Sequence, residues 1–124
     1  MSEGRILVVD DEPQIRRVVR AMLATKGYEV ADASNGEDAL RLVRSKEYDL
    51  VLLDNCMPGI TGIEVCREIR TGTDITIVVM SAGYELREQA LLAGANAYLR
   101  KPFGVSELLA CVRLNMRNRL KSPA

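Results

Sequence analysis

Histidine is absent from this chain of 124 residues. Without an imidazole group, the protein has no histidine-based catalytic triad, no histidine-ligated zinc and no histidine proton relay of its own. Any chemistry must therefore depend on carboxylates, lysine, hydroxyl groups and metal ions bound through oxygen.

Long apolar runs are also missing, because the longest, at residues 50–53 and 75–80, are far too short to cross a bilayer. The N-terminus has no hydrophobic region typical of a signal peptide, so we expect a cytoplasmic protein without membrane contact. Acidic and basic residues balance at 17 each. Charge therefore gives no indication that this domain binds nucleic acid directly.

Paired cysteines are missing as well. Cys56, Cys66 and Cys111 form an odd set without C-x-x-C spacing, which is typical of reduced thiols. We interpret Cys66 and Cys111 as small buried apolar residues.

Short β-branched runs alternate five times with longer stretches of helical periodicity. This pattern predicts one α/β domain with a flavodoxin-like, doubly wound, five-stranded parallel sheet of order 2-1-3-4-5 and five helices. The domain is expected to cover residues 1–121, with 122–124 as a tail or the start of a linker. Strands are predicted at residues 5–10, 28–33, 49–54, 75–80 and 97–100, and the last two helices at 84–93 and 105–120.

Polar residues gather where the predicted strands end. Parallel α/β sheets bind ligands beyond the carboxyl ends of their strands, at the point where strand order reverses. The residues at or just after those ends are Asp10, Asp11, Asp54, Ser81 and Lys101. We therefore expect these side chains to lie at one edge of the sheet.

The three carboxylates of this set would raise one another's pKa unless a cation neutralised them. Oxygen donors without imidazole favour Mg²⁺, with Mn²⁺ as a substitute. Lys101 and Ser81, together with the metal, would surround an anion such as a phosphoryl group. Asp54 then has two possible roles, as a metal ligand and as a nucleophile.

Four motifs carry a resemblance to a known family. They are VVDDE at residues 8–12, LLD at 52–54 followed by Met57-Pro58-Gly59 and Gly62, MSA at 80–82, and YLRKPF at 98–103. In this order and at these spacings, over almost the entire chain, they resemble the receiver domains of bacterial response regulators in two-component systems.

The resemblance implies that Asp54 takes a phosphoryl group from a phosphohistidine on a separate sensor histidine kinase or phosphotransfer protein. It also implies that Asp11, Asp54 and the backbone carbonyl of Cys56 bind Mg²⁺ directly, while Asp10 acts mainly through water. Lys101 would pair with the phosphoryl oxygens, and the Lys101–Pro102 bond is expected to be cis.

By the same resemblance, Ser81 and Tyr98 form a switch pair. When the phosphoryl group draws the Ser81 hydroxyl inward, Tyr98 would rotate from exposed to buried and change the face of helix 4, strand 5 and helix 5. The pattern of helix 5 resembles receivers joined to a winged-helix DNA-binding output domain. A homodimer through this face is left open, because Asn96 and Ala97 stand where those receivers usually carry two acidic residues.

Other functions with a similar fold fit the residues less well. A flavodoxin-like electron carrier needs a loop of Ser, Thr and Gly after strand 1, whereas Asp-Asp-Glu-Pro-Gln would repel a flavin phosphate. A phosphatase with an aspartate nucleophile would have two aspartates separated by one residue after strand 1, whereas Asp10 and Asp11 are adjacent. The remaining alternative to a phosphorylation switch is a degenerate receiver that acts only as a protein interaction module. A switch of this kind would catalyse its own phosphorylation and dephosphorylation, and we expect a signalling switch rather than a turnover enzyme.

Overall fold

The structure is a computed structural model that describes the backbone of residues 2–121 and the side chains of residues 2–116. The predicted tail at residues 122–124 lies outside the described residues. Strands and helices alternate in the order β1 Arg5–Val9, α1 Pro13–Ala24, β2 Glu29–Ala33, α2 Gly36–Ser45, β3 Leu50–Asp54, α3 Gly62–Arg70, β4 Thr76–Ala82, α4 Arg87–Leu92, β5 Ala97–Lys101 and α5 Val105–Lys121.

The five strands form one parallel sheet in the order β2-β1-β3-β4-β5, which confirms the predicted fold. Strand β3 lies in the centre, and all its residues are buried. Its register places Leu53 beside Val9 of β1 and Asp54 beside Met80 of β4. The reversal of strand order therefore lies between β1 and β3, where the acidic residues were expected.

Two apolar cores cover the two faces of the sheet, and neighbouring strand residues alternate between them because side chains alternate along a strand. Val9 and Leu53 pack in the core with α2, α3 and α4, whereas Val8 and Leu52 pack in the core with α1 and α5. Central strands buried on both faces require continuous apolar runs, which is the pattern the sequence has. Cys66 is fully buried as predicted, and Cys111 is half-buried.

Helix α4 is shorter than the predicted helix at residues 84–93, since it begins only at Arg87. Gly83 has a φ of +73°, a left-handed conformation that turns the chain out of β4 before the helix starts. Strand β4 continues to Ala82, so Ser81 lies inside the strand instead of after it. The extension arises because Ser81 and Ala82 still pair with β5. None of the helices within residues 2–121 is both long and apolar enough to span a bilayer.

Candidate functional site

Three strand ends meet through the side chain of Lys101. Its Nζ lies 2.7 Å from Oδ2 of Asp10 and 3.0 Å from Oδ1 of Asp54. Asp10 follows β1, Asp54 ends β3 and Lys101 ends β5. The structure thus brings together three of the residues selected from the sequence, and we call Asp10, Asp11, Asp54 and Lys101 the acidic site.

Asp10 is fully buried, and each of its polar groups is engaged. Its N–H donates to the carbonyl of Ala33, and its own carbonyl accepts from Nη1 of Arg16 at 2.7 Å. Oδ1 accepts from the N–H of Glu12, while Oδ2 accepts from Lys101. These bonds fix both the backbone and the carboxylate of Asp10.

Asp54 is only 3% exposed. Burial raises the pKa of Asp54 from its ordinary value of 3.8 to about 6, although the hydrogen bond and charge of Lys101 act in the opposite direction. The negative charges of Asp10 and Asp11 raise it further by smaller amounts. Burial therefore raises this pKa more than the repulsion between carboxylates that the sequence led us to expect.

Lys101 is the cation that faces these carboxylates. Burial lowers the pKa of its ammonium group, but the hydrogen bonds and charges of Asp10 and Asp54 outweigh that effect and raise it above its ordinary value. Lys101 therefore stays charged near neutral pH. The Lys101–Pro102 peptide bond is cis, as the resemblance implied.

The loop after β3 holds the backbone of Asp54 against α3. Asn55 donates from its N–H to the carbonyl of Met80 and accepts from the N–H of Ile63 through Oδ1. A Cβ at Gly62 would lie only 2.4 Å from the carbonyl oxygen of Asp54, so a larger residue would displace that strand end. Gly62 is therefore needed for this close contact, which the sequence pattern alone did not reveal.

The donor set at this edge fits a hard cation. Carboxylate oxygens of Asp10, Asp11 and Glu12 lie within 4.8 Å of one another, and Asp54 is buried close by. Oxygen donors of this kind suit Mg²⁺ and do not suit a soft metal. Glu12 was not selected from the sequence, although its place directly after the aspartate pair was a signal. Cys56 is exposed, two residues beyond Asp54.

Ser81 and Tyr98 lie on β4 and β5, the two strands that follow β3 in the sheet. Ser81 is buried, and Tyr98 is half-buried with its hydroxyl donating to the carbonyl of Gly83 at 2.9 Å. The ring centres of Tyr98 and Tyr84 are 6.4 Å apart, and the guanidinium carbon of Arg100 lies 5.0 Å from the Tyr84 ring centre. We call Gly83, Tyr84, Tyr98 and Arg100 the tyrosine surface.

Asn96 directly precedes β5, at the end of the sheet where the strands begin and opposite the acidic site. Its Oδ1 accepts from the N–H of Ile77 at 2.8 Å and from Nη2 of Arg70 at 2.7 Å. These bonds connect the start of β5 to β4 and α3. Asn96 therefore has a structural role where the resemblance leads one to look for an acidic residue.

An apolar groove of about 390 Å³ opens beside Lys101. Ile15, Val18 and Met22 of α1 form one wall, and Pro102 and Phe103 form the other. Val18 is 49% exposed, so the apolar stripe of α1 is wider than the core that it covers. The groove places apolar surface next to the charged residues at the sheet edge.

Known proteins resemble this chain in sequence. A family model described as "Response regulator receiver domain" matches residues 6–113. The response regulator MprA of Mycolicibacterium vanbaalenii is 46% identical over 116 residues, which are 91% of this chain and 50% of that protein. The transcriptional regulatory protein ResD of Bacillus subtilis is 42% identical over 118 residues, 94% of this chain and 49% of that protein. This chain spans about half the length of the curated relatives it matches.

Solved structures share the fold. The response regulator protein TrrA of Thermotoga maritima, in complex with Mg(2+)-BeF, has a TM-score of 0.84 and 44% identity, covering 93% of this chain and 99% of that chain. A response regulator receiver domain protein of Methanospirillum hungatei has a TM-score of 0.91 and 28% identity, covering 97% and 98%.

Proposed function

The chain belongs to the family of response regulator receiver domains, and from this premise we propose that Asp54 accepts a phosphoryl group from a phosphohistidine. The donor is a sensor histidine kinase or a phosphotransfer protein, since this chain contains no histidine. The domain acts in the cytoplasm as a switch and not as a turnover enzyme.

One observation carries this proposal: the buried Asp54 carboxylate lies 3.0 Å from the Lys101 ammonium at the end of the central strand. In the transfer, an Asp54 oxygen attacks phosphorus while the bond from phosphorus to the donor imidazole nitrogen breaks. The electron pair of that bond stays with the imidazole, and Asp54 becomes an acyl phosphate. Such a transfer depends on positioning and charge neutralisation, which Lys101 and the Ser81 hydroxyl provide for the phosphoryl oxygens.

We assign the metal to Asp11, Asp54 and the backbone carbonyl of Cys56, with Asp10 acting through water. Asp10 supports this assignment, because its two carboxylate oxygens already accept from Lys101 and from the Glu12 N–H. When bound, Mg²⁺ neutralises charge on the carboxylates and on the phosphoryl group. Mn²⁺ would occupy the same oxygen donors. The similar response regulator TrrA of Thermotoga maritima forms a complex with Mg(2+)-BeF, which supports a magnesium site here.

The apolar groove beside Lys101 is our candidate for the donor's docking surface. A phosphohistidine reaches Asp54 only if the donor's surface lies against the loops around the acidic site. The groove offers apolar contact within that reach, because Lys101 and Glu12 line it together with Val18 and Phe103. Exposed apolar surface of this kind is typical of protein contacts.

We further propose that phosphorylation changes the face of α4, β5 and α5 through Ser81 and Tyr98. The loop that starts at Gly83 supports this coupling. It follows Ser81 closely on the chain, and its Gly83 carbonyl accepts a hydrogen bond from the Tyr98 hydroxyl. A shift of Ser81 toward a phosphoryl group would move this loop and weaken the bond that holds Tyr98. Movement of that face is then the signal.

We place the output of the switch in the half of the related proteins that this chain does not cover. One relative is a transcriptional regulatory protein, so we propose a DNA-binding output domain controlled by this receiver. Homodimer formation would use the α4, β5 and α5 face, and exposed apolar side chains are present on both helices: Leu92 of α4 is 79% exposed and Leu114 of α5 is 59% exposed. Burial of such side chains between two copies would stabilise the dimer.

The test is intact mass after incubation with acetyl phosphate and Mg²⁺, beside Asp54→Asn and beside a sample with EDTA. A gain of one phosphoryl mass that requires both Asp54 and metal is expected. No gain under any condition would favour the alternative, a degenerate receiver that acts as a phosphorylation-independent interaction module.

A further inference from the structure

Arg16 of α1 joins the acidic site to two other parts of the fold. Its Nη1 donates to the carbonyl of Asp10 at 2.7 Å, and its Nε lies 3.1 Å from Oδ2 of Asp32 in β2. The Arg16 side chain is only 19% exposed. A single guanidinium therefore connects α1, the end of β1 and the edge strand.

The Asp10 carbonyl belongs to the peptide bond that leads into Asp11. Because a peptide unit is planar, fixing that carbonyl also fixes the direction in which the chain enters Asp11. The N–H of Asp10 is held separately by Ala33, so the Arg16 bond controls the following peptide. The exposed Asp11 carboxylate projects directly from this anchored unit.

We propose that Arg16 is a positioning residue for the metal site, an inference that rests on the proposed function. Arg16 does not touch the metal or the phosphoryl group; it orients the backbone that carries Asp11. Groups that orient metal ligands in this way strongly affect metal affinity. Asp32 pairs with both Arg16 and Arg20, so charge does not distinguish the two arginines, and the contribution specific to Arg16 comes from geometry. Two donors of one rigid planar fork reach two acceptors at once, which a lysine ammonium on a flexible stem does not reproduce.

Arg20 provides a matched control on the same helix. Its Nη1 lies 3.2 Å from Oδ1 of Asp32, the carboxylate that Arg16 also binds. Within the described side chains, only Arg16 of this pair reaches the Asp10 carbonyl. Removing either arginine deletes one positive charge and one ion pair with Asp32, but only the Arg16 change releases the peptide before Asp11.

The experiment is calorimetric titration of Mg²⁺ into metal-free protein without a phosphodonor, for wild type, Arg16→Ala, Arg20→Ala and Arg16→Lys. We expect Arg16→Ala to raise the Mg²⁺ Kd about tenfold and Arg20→Ala to change it by less than about twofold. Arg16→Lys should remain at least about fivefold weaker than wild type, because it keeps the charge and loses the fork. Circular dichroism and thermal unfolding verify that each variant is folded.

A second readout separates positioning of the metal from general damage. At saturating Mg²⁺ the rate of phosphorylation of Arg16→Ala by acetyl phosphate should return to within about threefold of wild type, since the defect lies in metal affinity.

Equal Mg²⁺ affinities for Arg16→Ala and Arg20→Ala, or full recovery in Arg16→Lys, would overturn the inference while leaving the proposed function intact. Failure of the wild-type protein to bind Mg²⁺ would overturn the proposed metal site and this inference with it.

Discussion

The acidic site and the tyrosine surface lie at the same edge of the sheet, but they are held in place differently. Asp10 is fully buried and uses its N–H, its carbonyl and both carboxylate oxygens in hydrogen bonds. The hydroxyl of half-buried Tyr98 donates to one carbonyl, that of Gly83. Tyr84 beside it is 61% exposed and stacks with Arg100.

This difference corresponds to two requirements of a switch. A site for phosphoryl transfer works best when its groups are already oriented, because no reorganisation is then needed during the reaction. A surface that reports the reaction must have two arrangements of similar free energy. Substitutions should therefore have large effects on stability in the acidic site and small ones at the tyrosine surface.

The largest effect is expected for Lys101→Ala, which leaves Asp10 and Asp54 without their cation. The free energy of unfolding of the metal-free protein should fall by about 3 kcal/mol near neutral pH. Mg²⁺ should still bind and restore part of the loss, whereas switching should be impaired. Urea unfolding with and without Mg²⁺ measures both effects, and a loss below about 1 kcal/mol would contradict the contrast between the two regions.

The next effect has the opposite sign. Asp54 has a folded-state pKa raised from 3.8 to about 6, so its charged form destabilises the metal-free fold above that pH. The full rise corresponds to about 3 kcal/mol, and we expect Asp54→Asn to gain about 2 kcal/mol near neutral pH. The gain should shrink as the pH falls below about 6, because folded wild type then binds a proton before the unfolded chain does. Urea unfolding across this pH range is the measurement, and a gain independent of pH would exclude the buried charge as its cause.

A smaller effect is expected for Tyr98→Phe, which removes the hydrogen bond to the Gly83 carbonyl and retains the ring. The free energy of unfolding should fall by about 1 kcal/mol. The variant should also show altered NMR shifts on α4 and β5 in the unphosphorylated state. A loss as large as that of Lys101→Ala would mean that the tyrosine surface is as firmly fixed as the acidic site.

The smallest effect is expected at the stacked pair of Tyr84 and Arg100. Both side chains are exposed, and an exposed cation–π contact contributes only about 0.5 kcal/mol. A double-mutant cycle with Tyr84→Ala and Arg100→Gln measures this coupling energy. A coupling energy above about 1.5 kcal/mol would mean that the tyrosine surface is held almost as firmly as the acidic site.

Sequence patterns were sufficient to predict the sheet. They also predicted that the side chains of Asp10, Asp54 and Lys101 lie close together. Continuous apolar runs predict central strands, and parallel strands end at one edge, so residues that follow them converge. Predicted strand ends lie within two residues of the observed ones. These features depend on local periodicity and on a general rule of topology, both of which a sequence displays.

Other features depend on contacts between distant residues, which no local pattern contains. In the sequence, Arg16 is only a polar position on an amphipathic helix. In the structure, its guanidinium donates hydrogen bonds to Asp10 and Asp32. Gly62 reads as a loop glycine, although its constraint is the nearby carbonyl of Asp54. Helix α4 begins three residues later than predicted, because the apolar spacing of residues 84–93 conceals the turn that begins at Gly83.

Helix α1 contributes to two separate parts of the surface. Val18 and Met22 line the apolar groove, while Arg16 holds the carbonyl of Asp10. A docked partner that shifts this helix changes the metal affinity as well. By thermodynamic reciprocity, Mg²⁺ then changes the partner's affinity by the same factor. The concentration of free Mg²⁺ would thus set how tightly a phosphodonor binds to this domain, before any phosphoryl group is transferred.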